Sequence, residues 1–200
     1  MRHIPLIGRL PSPTREDLDD ETRAVYDAIT TGPRARSGLP ETVADSDGRL
    51  QGPFNAMVHA SPPVGDALQR LGAGIRYGSA LSDRTRELAI LTVAAHRRCE
   101  FEWLAHAGEA TAVGLTDDML EAIARGDTGF FEYDDALVHR AVSELLAGRD
   151  LSQDTYEKAA ARLGARGVVD LVILVGYYDA LALSIRAFRA PLPGHADPTW

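Results

Sequence analysis

Apolar residues recur at three- and four-residue intervals through most of the chain, and no stretch alternates apolar and polar long enough to argue for a strand. The strongest helix start is Ser82, an N-cap followed by Asp83 in the positive first turn and Glu87 one turn on. Leu88, Leu91, Ala94 and Ala95 then mark a buried face, which the polar cluster His96-Arg97-Arg98 ends. A second run follows, with Phe101, Leu104, Ala105 and Gly108 on its packed side. Before this pair, the pattern predicts a proline-broken extended arm over residues 1–13 and a helix over 14–29 with Leu18, Val25 and Ile29 on one side. A long loop to 52, a short helix over 54–59 and a helix from Pro62 or Pro63 to about 77, with Leu68, Leu71 and Ile75 inward, come next. After it come helices from Thr116 to Arg125, from Asp134 or Asp135 to about Ala147, and from Ser152 to Leu163, where Gly164 is the stop. Residues 168–188 form the longest apolar helix, expected to cross the protein centre, with Tyr177, Tyr178 and Asp179 interrupting its surface. The expected architecture is all-α, a compact helical bundle with an N-terminal arm and a long central C-terminal helix.

Composition narrows the class. The 200 residues are 45% hydrophobic and 25% charged, ordinary for a globular chain long enough to bury a core. A net charge of -8 and a pI near 5.2 argue against a nucleic-acid or anionic-membrane partner. Cys99 is the only cysteine, which excludes an internal disulfide and fits a reducing compartment. The N-terminal stretch has no apolar run of signal-peptide length, and Asp170 and Asp179 interrupt the most apolar helix, which reads as core rather than as a membrane span. A soluble, cytoplasmic protein is expected. The sequence contains no phosphate-binding glycine loop, serine nucleophile elbow or His/Cys metal spacing.

The candidate chemistry sits in the central pair. Glu102 and His106 are four residues apart and share a helix face, with Cys99 one turn earlier. An antiparallel return would bring Glu87 beside them. A carboxylate next to an imidazole orients it and moves its proton affinity towards neutral pH. An ordinary Glu/His pair at this spacing is a solvated contact worth a few tenths of a kcal/mol. Phe101, Trp103 and Leu104 leave little of this turn to face water. Asn55 and His59 also share a face, where His59 can equally serve as a C-terminal helix cation. Arg86 can hold a substrate carboxylate and Tyr178 can donate a hydrogen bond to a ligand; each also has a plain structural use. Glu87, Glu102 and His106 are also a donor set that can bind a divalent ion, although no metal is assigned.

The runs RTRELAILTVA, RRCEFEWLAHA and AVGL resemble the carboxymuconolactone decarboxylase family, which includes the alkylhydroperoxidase D-like proteins. The segments GPFNAMVHASPPVGDALQRLGAGIRYGSAL and GYYDALALSIRAFRAPLP are similar to the same family, so the resemblance covers about 52–193. It implies an arm, helix and loop over 1–51, a family domain over 52–193 and a tail over 194–200. The peroxidase branch carries Cys-x-x-Cys followed four residues later by histidine. Here the positions are Cys99, Glu102 and His106, with Glu87 in the place of the upstream glutamate. A dithiol peroxidase needs a second thiol to resolve its sulfenic acid, so that chemistry is not expected.

The resemblance instead implies a lyase acting on a small carboxylated lactone or related cyclic acid. No cofactor is required, because the lactone itself is the electron sink. His106 would be the acid, Glu102 or Glu87 its orienting carboxylate, and Cys99, Asn55 and Tyr178 donors to the lactone oxygen. His59 and Arg86 remain candidate substrate ligands. Other proton-transfer reactions (isomerisation, dehydration, cyclisation) and a non-catalytic binding module stay open. The partners implied are a small-molecule substrate and further copies of the chain, as a trimer or hexamer.

Overall fold

In the computed structural model, which describes residues 4–36, 39–127 and 129–193, eight helices hold nearly all the regular structure. The expected tail, 194–200, lies outside the described residues, as does Thr128. The chain divides into two compact units, one of residues up to 77 together with those from 183 onward, the other of 78–182.

In the first unit, the arm is not simply extended. Leu6–Ile7 (β1) and Leu10–Pro11 (β2) pair antiparallel across a two-residue turn. Two residues per strand are too few for an alternating pattern, so only the turn could have signalled it. Gly8 has φ of 64°, and a Cβ there would lie 2.2 Å from the Arg189 carbonyl oxygen. Only glycine lets the turn approach this closely. Arg9 donates its backbone N–H to the Phe188 carbonyl at 2.8 Å and Nη1 to that of Ala187 at 3.0 Å. These are among the end-of-helix carbonyls that no helical N–H can reach.

The expected helix over 14–29 is divided. A 3₁₀ turn spans Arg15–Asp17, Leu18 is extended, and Asp19 caps a new helix α1, Asp20–Thr30, by accepting from Thr22 N–H. Val25, Tyr26 and Ile29 form its buried side. α2, Gly52–His59, and α3, Pro62–Gly78, follow. α3 buries Gly65, Gln69, Gly72 and Ile75, while Leu71 is exposed, contrary to expectation. A Cβ on Gly65 would come within 2.2 Å of the Met57 carbonyl oxygen, so the glycine face is the one that permits close helix approach.

In the second unit, α4 (Asp83–Arg97) packs against α5 (Glu100–Ala112), α6 (Asp117–Arg125) and α7 (Tyr133–Gly148). Every residue of α4 from Arg86 to Ala94 is buried. This helix, rather than the most apolar one, is enclosed on all sides. α8 spans Gln153–Phe188 with a non-helical break at Gly164 (φ 71°, ψ 168°), the stop read from the sequence. Its 168–188 stretch is buried along one side and exposed along another. Leu171, Leu174 and Tyr178 are buried, while Val169, Val172 and Ile173 are exposed. By length and composition alone α8 could cross a membrane, but half of its apolar window is buried in the fold. Its interrupting aspartates have partners: Asp170 accepts from Ala80 N–H at 2.7 Å and Asp179 pairs with Arg97. Leu88, Ile90, Leu91, Leu171 and Leu174 are almost wholly buried, each contributing about 1.5–3 kcal/mol of transfer free energy.

Candidate active site

The site is set by the turn between α4 and α5. α4 ends at Arg98 in the left-handed conformation (φ 48°, ψ 51°), and Cys99 N–H closes the turn on the Ala94 carbonyl at 2.8 Å. The buried Cys99 then stands as the N-cap of α5, with its carbonyl accepting from Trp103 N–H. So short a connection sends α5 back along α4.

The inward face of α5 differs from the expected one. Phe101, Glu102, His106 and Ala110 are buried, whereas Leu104 is 48% exposed and Gly108 is also exposed. The polar pair faces in and the leucine faces out. The reason lies on α4, where Glu87 is fully buried and its Oε2 is 2.7 Å from His106 Nδ1. A carboxylate only accepts, so Nδ1 carries the proton and Nε2 is the nitrogen left to exchange one. Arg86 Nε donates to the other oxygen, Glu87 Oε1, at 3.2 Å, and Arg86 Nη1 donates to Asp83 at 2.8 Å. The buried carboxylate is therefore held between a guanidinium and an imidazole, as a charge removed from water must be.

Two groups face Nε2. Tyr178, from α8, places its hydroxyl at 3.3 Å, with the rings edge-to-face at 5.3 Å. Glu102 Oε2 is at 3.8 Å, outside hydrogen-bond range but close enough to act as a charge. Tyr177 meets the Tyr178 ring edge-to-face. Glu87 and Glu102 thus address different ring nitrogens and do not converge with His106 on one point, as a shared metal ion would need. No group of three or more potential metal ligands is found among the described residues.

The structure brings Glu87, Glu102, His106 and Tyr178 together, with Arg86 committed to Glu87 and Asp83 rather than held open for a substrate. Asn55 and His59 belong to the other unit. Asn55 Nδ2 donates to the Pro11 carbonyl at 3.0 Å, and His59 Nε2 lies 2.7 Å from the same oxygen. Their shared face latches the end of β2. What spacing within one helix missed is the Asp83–Arg86–Glu87 support of the histidine. Its only local signal is the Asp83/Arg86 separation of three on α4.

Residues 62–142 match the model of the carboxymuconolactone decarboxylase family. Over this segment the chain is similar to that family. It is the segment that contains Glu87, Cys99, Glu102 and His106. No curated protein sequence matches the chain. Solved structures share the fold. One, an uncharacterised peroxidase-related protein from a Silicibacter species, has a TM-score of 0.67 at 14% identity and covers 98% of both chains. Another is a protein of unknown function from Agrobacterium tumefaciens, described as a candidate antioxidant defence protein AhpD. It has a TM-score of 0.60 at 17% identity, covering 68% of this chain and 94% of its own. The carboxymuconolactone decarboxylase and AhpD-like fold is thus established on sequence and structure together.

Proposed function

We propose that this chain is a cofactor-independent carboxy-lyase of the carboxymuconolactone decarboxylase type, acting on a small carboxylated lactone or related cyclic acid. The supporting observation is the buried Glu87–His106 pair, backed by Arg86 and leaving Nε2 as the working nitrogen. As carbon dioxide leaves, the bonding electrons pass into the lactone carbonyl, and the resulting dienolate carbon must gain a proton. The protonated His106 supplies it from Nε2 and ends neutral, with Nδ1–H still on Glu87. The net reaction takes up one proton from water. Glu87 keeps the ring oriented for the transfer. Donors near the turn, Cys99 and Tyr178, suit the developing lactone oxygen.

A dithiol peroxidase cycle would require a resolving thiol. Cys99 is the sole cysteine of the sequence, and Glu102 occupies the position where the second would stand. The peroxidase and antioxidant descriptions of the structural relatives therefore fit this chain less well than proton transfer does.

The test is carbon dioxide release from γ-carboxymuconolactone by the purified protein and by His106→Ala. Release by the first alone supports both the lyase reading and its proton donor. Equal release by both would remove His106 as the acid. Release by neither would overturn the lyase reading and favour a different proton-transfer substrate or a binding role.

A further inference from the structure

In the first unit, β1, the loop before α2 and the segment after α8 line a cavity of about 520 Å³. That volume falls within the range of small-molecule sites, roughly 300–1,000 Å³. None of the lining residues lies within 62–142, and none belongs to the histidine site. Two chemistries meet in the lining. Leu6, Ile7, Pro191, Leu192 and Pro193 supply apolar walls, and Leu6 is 68% exposed. The two prolines have no N–H to donate. The polar part comes from the loop before α2, as Glu41, Asp45, Ser46 and Gln51. No lining residue is basic, so two carboxylates share the cavity without a cation in its walls.

The polar groups are built in rather than loose. Asp45 Oδ1 accepts from the backbone N–H groups of Asp47 and Arg49 at 3.0 and 2.8 Å. Gln51 is only 8% exposed, and its Nε2 donates to Asp45 Oδ2 at 3.3 Å and to the Arg49 carbonyl at 3.0 Å. Both partners only accept, which fixes the amide nitrogen on their side and leaves Oε1 as the atom this buried side chain offers the cavity. Glu41 is exposed at the edge and makes no hydrogen bond or ion pair among the described residues. Two carboxylates and an amide oxygen call for positive charge and N–H donors, and an alkylammonium head has three donors and no acceptor. The walls call for carbon behind that head. We propose that this cavity is a second ligand site, which takes a small organic ammonium ion carried on a short apolar body. The head meets Asp45, Gln51 and Glu41, and the body lies on Leu6, Ile7 and Leu192. An anionic ligand is repelled by both carboxylates.

The test is calorimetric titration of the purified full chain with three probes that share one body: 2-phenylethylamine, 2-phenylethanol and phenylacetate. The amine is expected to saturate one site per chain with a Kd at or below about 1 mM, and to bind more weakly as ionic strength rises. The alcohol should bind at least about tenfold more weakly, and phenylacetate should not saturate. Glu41→Gln should weaken the amine about two- to fivefold, the scale of an exposed ion pair. Asp45→Asn keeps an oxygen for the loop N–H groups and should weaken it at least about tenfold. Glu41→Gln breaks no internal bond, and so keeps the test open if Asp45→Asn disturbs the loop. No saturation by the amine, an alcohol or phenylacetate that binds as tightly, or an affinity for the amine unchanged in Glu41→Gln overturns the proposal.

Discussion

Two histidines in the second unit are equally buried, each 3% exposed, on helices that both pack against α4. His106 on α5 is surrounded by Glu87, Glu102 and Tyr178. His139 on α7 stacks on Phe131 at 5.2 Å, and its Nδ1 is enclosed without a hydrogen-bond partner. Burial withdraws His139 from water with nothing to compensate a charge, so its pKa falls below the usual value. Burial of His106 comes with an acceptor for one nitrogen and a choice of partners for the other. Depth in the core does not make a histidine chemical; the partners built around it do.

The contrast breaks most sharply in activity. His106→Ala should abolish carbon dioxide release, a loss of at least about 10²-fold for a general acid. The circular-dichroism spectrum should stay helical, because alanine supports the helix well. His139→Leu should leave turnover at the wild-type level, and a comparable loss in that variant would erase the distinction drawn here. Glu87→Gln makes the setting of His106 more like that of His139, since a neutral amide replaces the carboxylate on Nδ1. Turnover should fall by the order of 10²-fold, with the loss in kcat rather than KM. Cys99→Ser should cost less than about tenfold, the scale of one neutral hydrogen bond. Complete loss there would point to thiol chemistry.

The smallest effect is a slope. The folded-state pKa of His139 is depressed, so the unfolded chain binds its proton more readily. Its contribution to stability is therefore present above the unfolded value of about 6.5 and is lost as pH falls through the lower folded-state pKa. Chemical denaturation across that range should show a flatter acid-side decline in His139→Leu than in the wild type.

How much of this was legible depended on how local each signal was. The Ser82 cap, the Gly164 stop and the α4–α5 turn are written in a few adjacent residues, and they stand where the pattern put them. The inward face of α5 was misread because Leu104 looks like core and Glu102 like surface. What reverses them is Glu87, fifteen positions before Glu102 and on another helix. The same blindness hid the Pro11 carbonyl, more than forty residues away, which both Asn55 and His59 meet. Helix spacing correctly paired Glu102 with His106, yet the shorter contact is with Glu87, which needed the antiparallel return of the next helix to come beside them. The most apolar helix was expected at the centre, but hydrophobicity alone does not say how many sides of a helix are covered. α4, shorter and more polar, is the one enclosed all round.

The hairpin turn at Gly8 closes on the last carbonyls of α8, and Arg9 and Ala187 are 178 positions apart in sequence. On a ribosome adding about 5–20 residues per second, the arm waits roughly 10–40 s for its partner to be made. The second unit is one continuous piece of chain from 78 to 182, so its fold, with the histidine site inside it, can be completed while the N-terminal segment is still unsatisfied. The order of synthesis thus favours building the chemistry first and tying off the chain ends last.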